Sequence, residues 1–284
     1  LCFAEESLFF ALKSKRNDGH KYLPDLYKRG VRNFVVSDLP KDLNGYEDAN
    51  FLQLPHPLKG LQRLAEKHRE RFDVPVIGIT GSNGKTIVKE WLYQLLSPER
   101  IITRSPRSYN SQIGVPLSVW LINGSNELGI FEAGISEMGE MEALQSIIRP
   151  SIGVLTNIGG AHQENFYSVE DKCIEKLALF KDCDVVVYDG DNELISRCIS
   201  KSLFSAREIA WSRKDSERPL YIESVTKEVS STTIRYRYLG MPNAYTIPFI
   251  DDASIENSLH CLAVSLYLML PAEKITERMA SLEP

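Results

Sequence analysis

Between Val74 and Trp211, short apolar runs alternate with segments of helical spacing. VPVIGIT is followed by KTIVKEWLYQLL, RIITR by a loop and IGVPLSVWLI, and ELGIFEAGI by MEALQSII. SIGVLTNIG then precedes EDKCIEKLALF, and DVVVYDG precedes NELISRCIS and REIAW. Near-continuous apolar strands separated by helices predict an α/β fold with a mostly parallel sheet flanked by helices on both faces. After Pro219 the pattern changes. LYIESVTKEV and STTIRYRYLG predict antiparallel strands, and helices follow over 254–270 and 272–281.

Residues 1–73 predict a separate small α/β unit. SLFFAL (7–12) reads as a strand and RNDGH (16–20) as a turn, because Asp-Gly favours a tight reversal. KYLPDLYKR is a short helix that Gly30 ends, and VRNFVVS (31–37) is the next strand. The stretch 38–58, with Pro40, Pro55 and Pro57, predicts a loop. LKGLQRLAEKHRERF (58–72), with Leu58, Leu61 and Leu64 on one face, predicts a helix leading into the second domain. The expected break near Asp73 gives domains 1–73 and 74–284.

Composition narrows the function classes. A chain of 284 residues, 43% hydrophobic and 25% charged, has the make-up of a globular protein and the length for two domains. Its net charge of -5 gives no electrostatic reason to expect nucleic acid or an anionic membrane as partner, and KSKR at 13–16 reads as a solvated loop. The five cysteines, Cys2, Cys173, Cys183, Cys198 and Cys261, form no CxxC pair. A zinc site or disulfide framework is not expected, and a reducing cytoplasm fits. No apolar run reaches the ~18 residues that span a bilayer. The longest, LHCLAVSLYLML at 259–270, is interrupted by His260 and predicts a buried helix.

The chemistry concentrates at TGSNGKT, residues 80–86, between a strand and a helix. Gly81 and Gly84 let the backbone turn so that successive amides, those of Ser82 and Asn83 included, face one anion. The helix that follows adds its positive end. Lys85 can reach nucleotide phosphates and the Thr86 hydroxyl can hold Mg²⁺. The spacing is G-x-x-G-K-T, with Ile79 where the usual phosphate loop has its first glycine. No NKxD-type guanine reader accompanies it. Glu132, ending the strand in IFEAG, can hold the cation that Thr86 touches or make a local salt bridge. TNIGGAH (156–162) closes another strand, and ligands gather at such ends. His162 there can meet a metal or a phosphate, or be structural.

Together TGSNGKT, FEAG, TNIGGAH and IEN (255–257), in that order, resemble the Mur ligase family of ATP-dependent amide-forming enzymes of peptidoglycan precursor synthesis. SLFFAL…DGH, YNSQIGVPLSV (109–119), EMGEMEAL (137–144) and AHQENF (161–166) resemble the members that add D-alanyl-D-alanine to UDP-N-acetylmuramoyl-tripeptide. RSPRSYNSQIGVPLSVW resembles the form fused to an alanine racemase. The resemblance implies that residues 1–73 bind the UDP precursor and residues 74–284 bind ATP, with a third, Rossmann-like domain beyond Pro284 and a first strand before Leu1. Such a two-domain fragment is expected to be inactive as a ligase by itself.

Residue by residue, the resemblance implies that the 81–86 loop, with Lys85, binds the ATP phosphates. Thr86 and Glu132 would hold one Mg²⁺ and His162 a second. Lys176, fourteen residues after that histidine, would be carbamoylated and share the second ion, whereas Lys172 comes one turn too early. Asn257 would contact adenine before the helix SLHCLAV, although Ala253 and Ser254 stand where relatives often have His-Asn. Tyr109, Asn110 and Ser111 would lie beside the reacting carboxylate, and Asn17, Asp18, Gly19 and His20 would face the uridine diphosphate. Carboxylate attack on ATP would give an acyl phosphate, which the dipeptide amine then opens. The alternatives are another Mur-type amino-acid ligase, a folylpolyglutamate synthase, or a nucleotide-binding module without catalysis. Lys85→Ala is expected to abolish ATP-dependent turnover, and near-wild-type turnover in that variant would refute the phosphate-loop reading.

Overall fold

The computed structural model describes residues 3–14, 17–159, 165–202 and 205–284. The chain divides into two compact units, Leu1–Lys67 and His68–Pro284.

The first unit is a parallel sheet in the order β1 (Leu8–Phe10), β2 (Asn33–Val36), β3 (Asn50–Gln53). Helix α1 (Leu23–Lys28) carries Pro24 in its first turn, where a missing amide costs nothing. Ala11, Leu23, Val31, Phe34 and Val36 form a small core, with Phe51 stacked on Phe34 at 5.3 Å. Strand β3 lies inside the stretch expected to be loop. Helix α2 (Pro57–Arg69) follows it.

The second unit is built on a sheet that has nine strands among the described residues, in the order β12-β11-β10-β9-β8-β7-β4-β6-β5. Those reached by crossovers are β4 (Val76–Thr80), β5 (Ile102–Arg104), β6 (Leu128–Glu132), β7 (Ile152–Leu155), β8 (Val185–Asp189) and β9 (Arg207–Ser212). All pair in parallel, as the apolar runs predict. β10 (Leu220–Lys227) adds parallel to β9, and the meander β11 (Thr232–Tyr238) and β12 (Met241–Ile247) continues antiparallel. The strand β12 was not expected. Its first half, Met-Pro-Asn, is exposed, and only Tyr245 and Ile247 are buried.

The helices of this unit are α3 (Lys85–Leu96), α4 (Gly114–Val119), α5 (Glu140–Ile148), α6 (Val169–Leu177), α7 (Glu193–Lys201), α8 (Asp252–Tyr267) and α9 (Ala272–Met279). From β4 the chain runs outward to β5, returns through β6, and crosses to β7 on the other side. The order therefore reverses at the carboxyl end of β4, which opens a crevice between β6 and β7. Trp91, Leu92 and Leu95 of α3 share one core with Leu259 and Leu262 of α8.

Fully buried His260 sits on α8 between two fixed partners. It donates from Nε2 to the Thr156 carbonyl (2.9 Å), and its Nδ1 accepts from the Trp211 indole at 3.3 Å. Nδ1 must therefore stay unprotonated, and burial pushes the group down to about 4. The unfolded chain, with a histidine pKa of about 6.5, takes up the proton first. The stability held by neutral His260 is thus complete above about pH 6.5 and is lost as pH falls to 4, by on the order of 3 kcal/mol. Urea unfolding at pH 7 and pH 4.5 is expected to show a larger acid loss for wild type than for His260→Gln. Equal losses would refute this assignment.

Candidate functional site

The loop Gly81–Gly84 leaves β4 and enters α3 through two glycines with positive φ, 148° at Gly81 and 81° at Gly84. Space enforces them as well. A Cβ on Gly81 would lie 1.9 Å from Thr156 Oγ1, and one on Gly84 would lie 2.3 Å from Asn257 Oδ1. The loop is braced against the end of β7. The Ser82 amide donates to the Asn157 carbonyl (2.9 Å), the Asn83 amide to Asn157 Oδ1 (3.0 Å), and Thr156 Oγ1 to the Asn83 carbonyl (2.5 Å). Ser82 Oγ accepts from the Gly159 amide at 2.8 Å.

The amides of Ser82 and Asn83, expected to face an anion, donate in this structure to Asn157 after β7. The donors left for an anion are those at the start of α3, which a helix leaves without internal acceptors.

Three lysines surround the loop. Lys85 Nζ donates to the carbonyls of Gly81 (2.9 Å) and Ser82 (3.4 Å), and Lys176 Nζ donates to the same Gly81 carbonyl at 3.2 Å. Lys172 Nζ donates to Gly159 O at 2.6 Å. Lys172 and Lys176 lie one turn apart on the buried side of α6. Burial, helped by the charge of Lys172 and opposed by Glu132, lowers the Lys85 pKa. Burial first, then the charges of Lys85 and Lys172, brings Lys176 down to about 7. These amines raise one another's cost of being charged, and an incoming polyanion would relieve it.

Opposite them, buried Glu132 ends β6 in register with Ile79 of β4. Its Oε2 accepts from Thr86 Oγ1 and from Asn110 Nδ2, each at 3.1 Å. Its Oε1 lies 3.0 Å from Lys89 Nζ, an ion contact without hydrogen-bond geometry. Ser108 Oγ is 3.2 Å from Thr86 Oγ1. A hydroxyl and a carboxylate oxygen meeting beside a phosphate loop fit a hard divalent cation. Among the described residues, no group of three or more His, Cys, Asp or Glu side chains is assembled to hold a metal.

The remaining predicted residues divide. His162 lies outside the described residues. Asn257 falls in the second turn of α8 rather than before it, because Asp251 caps the helix by accepting from the Ser254 amide at 2.8 Å. It is buried against Gly84. Of the three neighbours on the loop after β5, Asn110 reaches Glu132 and Tyr109 is exposed. Ser111 Oγ instead accepts from the Gly114 amide at 3.1 Å at the start of α4.

In the first unit, Asp18 Oδ1 accepts from the His20 amide (2.9 Å) and from its Nδ1 (2.6 Å). His20 Nε2 accepts from the Ser37 amide at 3.0 Å. Gly19 fits because a Cβ there would meet the Leu12 nitrogen at 2.8 Å. Asp18 and His20, with Lys13, Asp38 and Tyr46, line a cavity of about 330 Å³. Asn17 borders the same turn and its carbonyl accepts from the Ser14 amide. Sequence reasoning missed Lys89 and Ser108, and singled out TNIGGAH without giving Thr156 or Asn157 a role. Lys89 left a signal, a lysine within the apolar stripe Val88, Trp91, Leu92, Leu95 and Leu96.

Residues 79–265 match the family described as Mur ligase middle domain. The UDP-N-acetylmuramoyl-tripeptide--D-alanyl-D-alanine ligase of Borreliella burgdorferi is 31% identical over 96% of this chain and 59% of its own length. The enzyme of that name from Bacillus subtilis is 27% identical over 98% of this chain and 60% of its own. The crystal structure of the MurF ligase from Thermotoga maritima in complex with ADP superposes with a TM-score of 0.85 at 22% identity, over 99% of this chain and 65% of that one. The chain thus spans about 60% of the length of the curated relatives it matches.

Gly81→Ala is expected to combine backbone strain, of the order of 1–2 kcal/mol, with the clash at Thr156. Gly139→Ala, at φ 81° with nothing within 4 Å of its Cβ, meets strain alone. Thermal unfolding should fall further for Gly81→Ala, with weaker ADP binding only in that variant. Equal effects would show that the Thr156 contact yields freely.

Proposed function

The chain belongs to the Mur ligase family, and from that membership we propose that it forms part of an ATP-dependent ligase joining D-alanyl-D-alanine to UDP-N-acetylmuramoyl-tripeptide. The names of its relatives support that substrate pair. The observation that carries the reading is the convergence of the Thr86 hydroxyl and Glu132 Oε2, 3.1 Å apart, beside a loop whose Gly81 carbonyl holds the amines of Lys85 and Lys176.

Both partners of the first step are anions. The tripeptide carboxylate attacks the γ-phosphorus of ATP, the bond to the bridging oxygen breaks, and ADP leaves an acyl phosphate. The amine of the dipeptide then attacks the acyl carbon, and inorganic phosphate departs with the proton balance made up from the amine. Lys85 exchanges its carbonyl partners for phosphate oxygens, and the first amides of α3 face the same charge. Thr86 and Glu132 would hold Mg²⁺, which supplies charge neutralisation on the phosphates. Asn110 and Ser108 keep those two ligands oriented.

Lys176 is the residue for carbamoylation. With its pKa brought down to about 7, a substantial share of the amine is neutral and able to attack CO₂, losing a proton as the carbamate forms. The product is an anion, so the residue changes from repelling a cation to holding one. His162 would join it at a second Mg²⁺. Asn257 would face the adenine end of the nucleotide, and Tyr109 and Ser111 the reacting carboxylate. Asn17, Asp18, Gly19 and His20 would meet the uridine diphosphate. The substrates so proposed are cytoplasmic precursors.

The test is phosphate release with Mg²⁺-ATP, the UDP-tripeptide and D-alanyl-D-alanine, assayed at the full length of the relatives and omitting each component in turn. Release is expected only with all three present. Replacement of the dipeptide by a single amino acid would move the assignment to another ligase of the family. ATP binding without any release would favour a nucleotide-binding module.

A further inference from the structure

Lys89 lies one turn after Lys85 on α3 and is completely buried. Its ammonium stands among four oxygens. It donates to the carbonyls of Ser105 (2.9 Å) and Arg107, and lies 3.0 Å from Glu132 Oε1 and 3.1 Å from Glu90 Oε1. A lysine is rarely buried so fully unless its charge is matched, and here the matching groups all belong to one region. Glu132 is the carboxylate beside Thr86. Ser105 and Arg107 belong to the loop after β5, whose next residues reach the same point: Ser108 meets the Thr86 hydroxyl and Asn110 meets Glu132 Oε2.

The loop itself is under strain. Arg107 has φ 48°, in the left-handed region that a non-glycine side chain disfavours, and its carbonyl is one of the oxygens that Lys89 holds. Ser105 is also stitched to β6, donating its amide to the Ile130 carbonyl (3.0 Å) and accepting the Glu132 amide on Oγ (3.2 Å). Two consequences follow for Glu132. Its Oε1 is engaged by the ammonium, so Oε2 alone is turned to Thr86. The carboxylate, Ser108 and Asn110 are held at a common spacing by one side chain.

We propose that Lys89 is a positioning residue of the nucleotide–cation site, acting through Glu132 and the 105–110 loop. It makes Glu132 a one-oxygen ligand aimed at the Thr86 hydroxyl. This rests on the reading that Thr86 and Glu132 hold the Mg²⁺ that accompanies the nucleotide.

The quantity that isolates this role is the factor by which saturating Mg²⁺ raises affinity for ADP, measured by calorimetry with and without EDTA. By linkage the same factor describes how ADP raises affinity for Mg²⁺. Loss of one positive charge elsewhere in the fold would change both ADP affinities alike and leave the factor unmoved. Misplacing Glu132 lowers the factor itself. For folded Lys89→Met the factor should drop about ten- to a hundredfold, the usual effect of removing a group that orients a metal ligand, while metal-free ADP binding changes little. An unchanged factor would overturn the proposal.

Because Lys89→Met leaves a buried carboxylate uncompensated, the neutral pair Lys89→Met/Glu132→Gln is compared with Glu132→Gln alone. Equal factors in these two support action through Glu132. A further drop in the double variant overturns it. Absence of any Mg²⁺ effect in the wild type would overturn the cation reading and this proposal together. A wild-type effect that Lys89→Met retains would remove only the role of Lys89.

Discussion

A single backbone oxygen, the carbonyl of Gly81, accepts from two lysine amines, those of Lys85 and Lys176. A carbonyl offers partial negative charge and no more, so charging both amines at once is costly, and both pKa values are lowered. Lys172 adds a third amine nearby on Gly159. The described surroundings supply one buried carboxylate, Glu132, and part of its charge is already met by Lys89. The rest of the architecture braces the loop that carries these contacts. The end of β7 holds Ser82 and Asn83, α8 holds the Thr156 carbonyl through His260, and Asn257 closes the space over Gly84. An anion of several charges would complement the amines gathered at this loop.

Much of this was legible in the sequence because it depended on local rules. Strands buried on both faces read as unbroken apolar runs, so β4, β6, β7 and β8 could be placed, and the glycines and lysine of TGSNGKT marked the junction that matters. β3 and β12 were missed for the opposite reason. NFLQ is largely exposed, and MPNAYTI begins with three exposed residues that imitate a loop. Pairing with a neighbour makes each a strand, and pairing partners distant in sequence leave no local mark.

The site shows the same division. Residue types predicted Thr86 and Glu132 as partners, and the structure brings their oxygens to 3.1 Å. The roles of the loop amides could not be read, because Asn157, which takes two of them, lies more than seventy residues away. Lys89, Lys172 and Lys176 look like solvated helical lysines until their neighbours are considered. Lys172 and Lys176 flank Cys173 and Leu177, and Lys89 follows Val88, all on buried faces. A lysine out of place on an apolar stripe was the available sign.

The contact between Gly84 and Asn257 bears on which sequences this loop can tolerate. A smaller residue at 257 would open the volume that Asn257 Oδ1 now denies to a Cβ, yet the backbone at 84 would still hold φ 81°. Position 84 is therefore determined twice, by a neighbour and by its own torsion, and relief of one leaves the other in force. Two residues that touch need not vary together. A side chain at 84 has no second-site compensation at 257, whereas the contact restrains 257 through volume, by keeping room for the glycine.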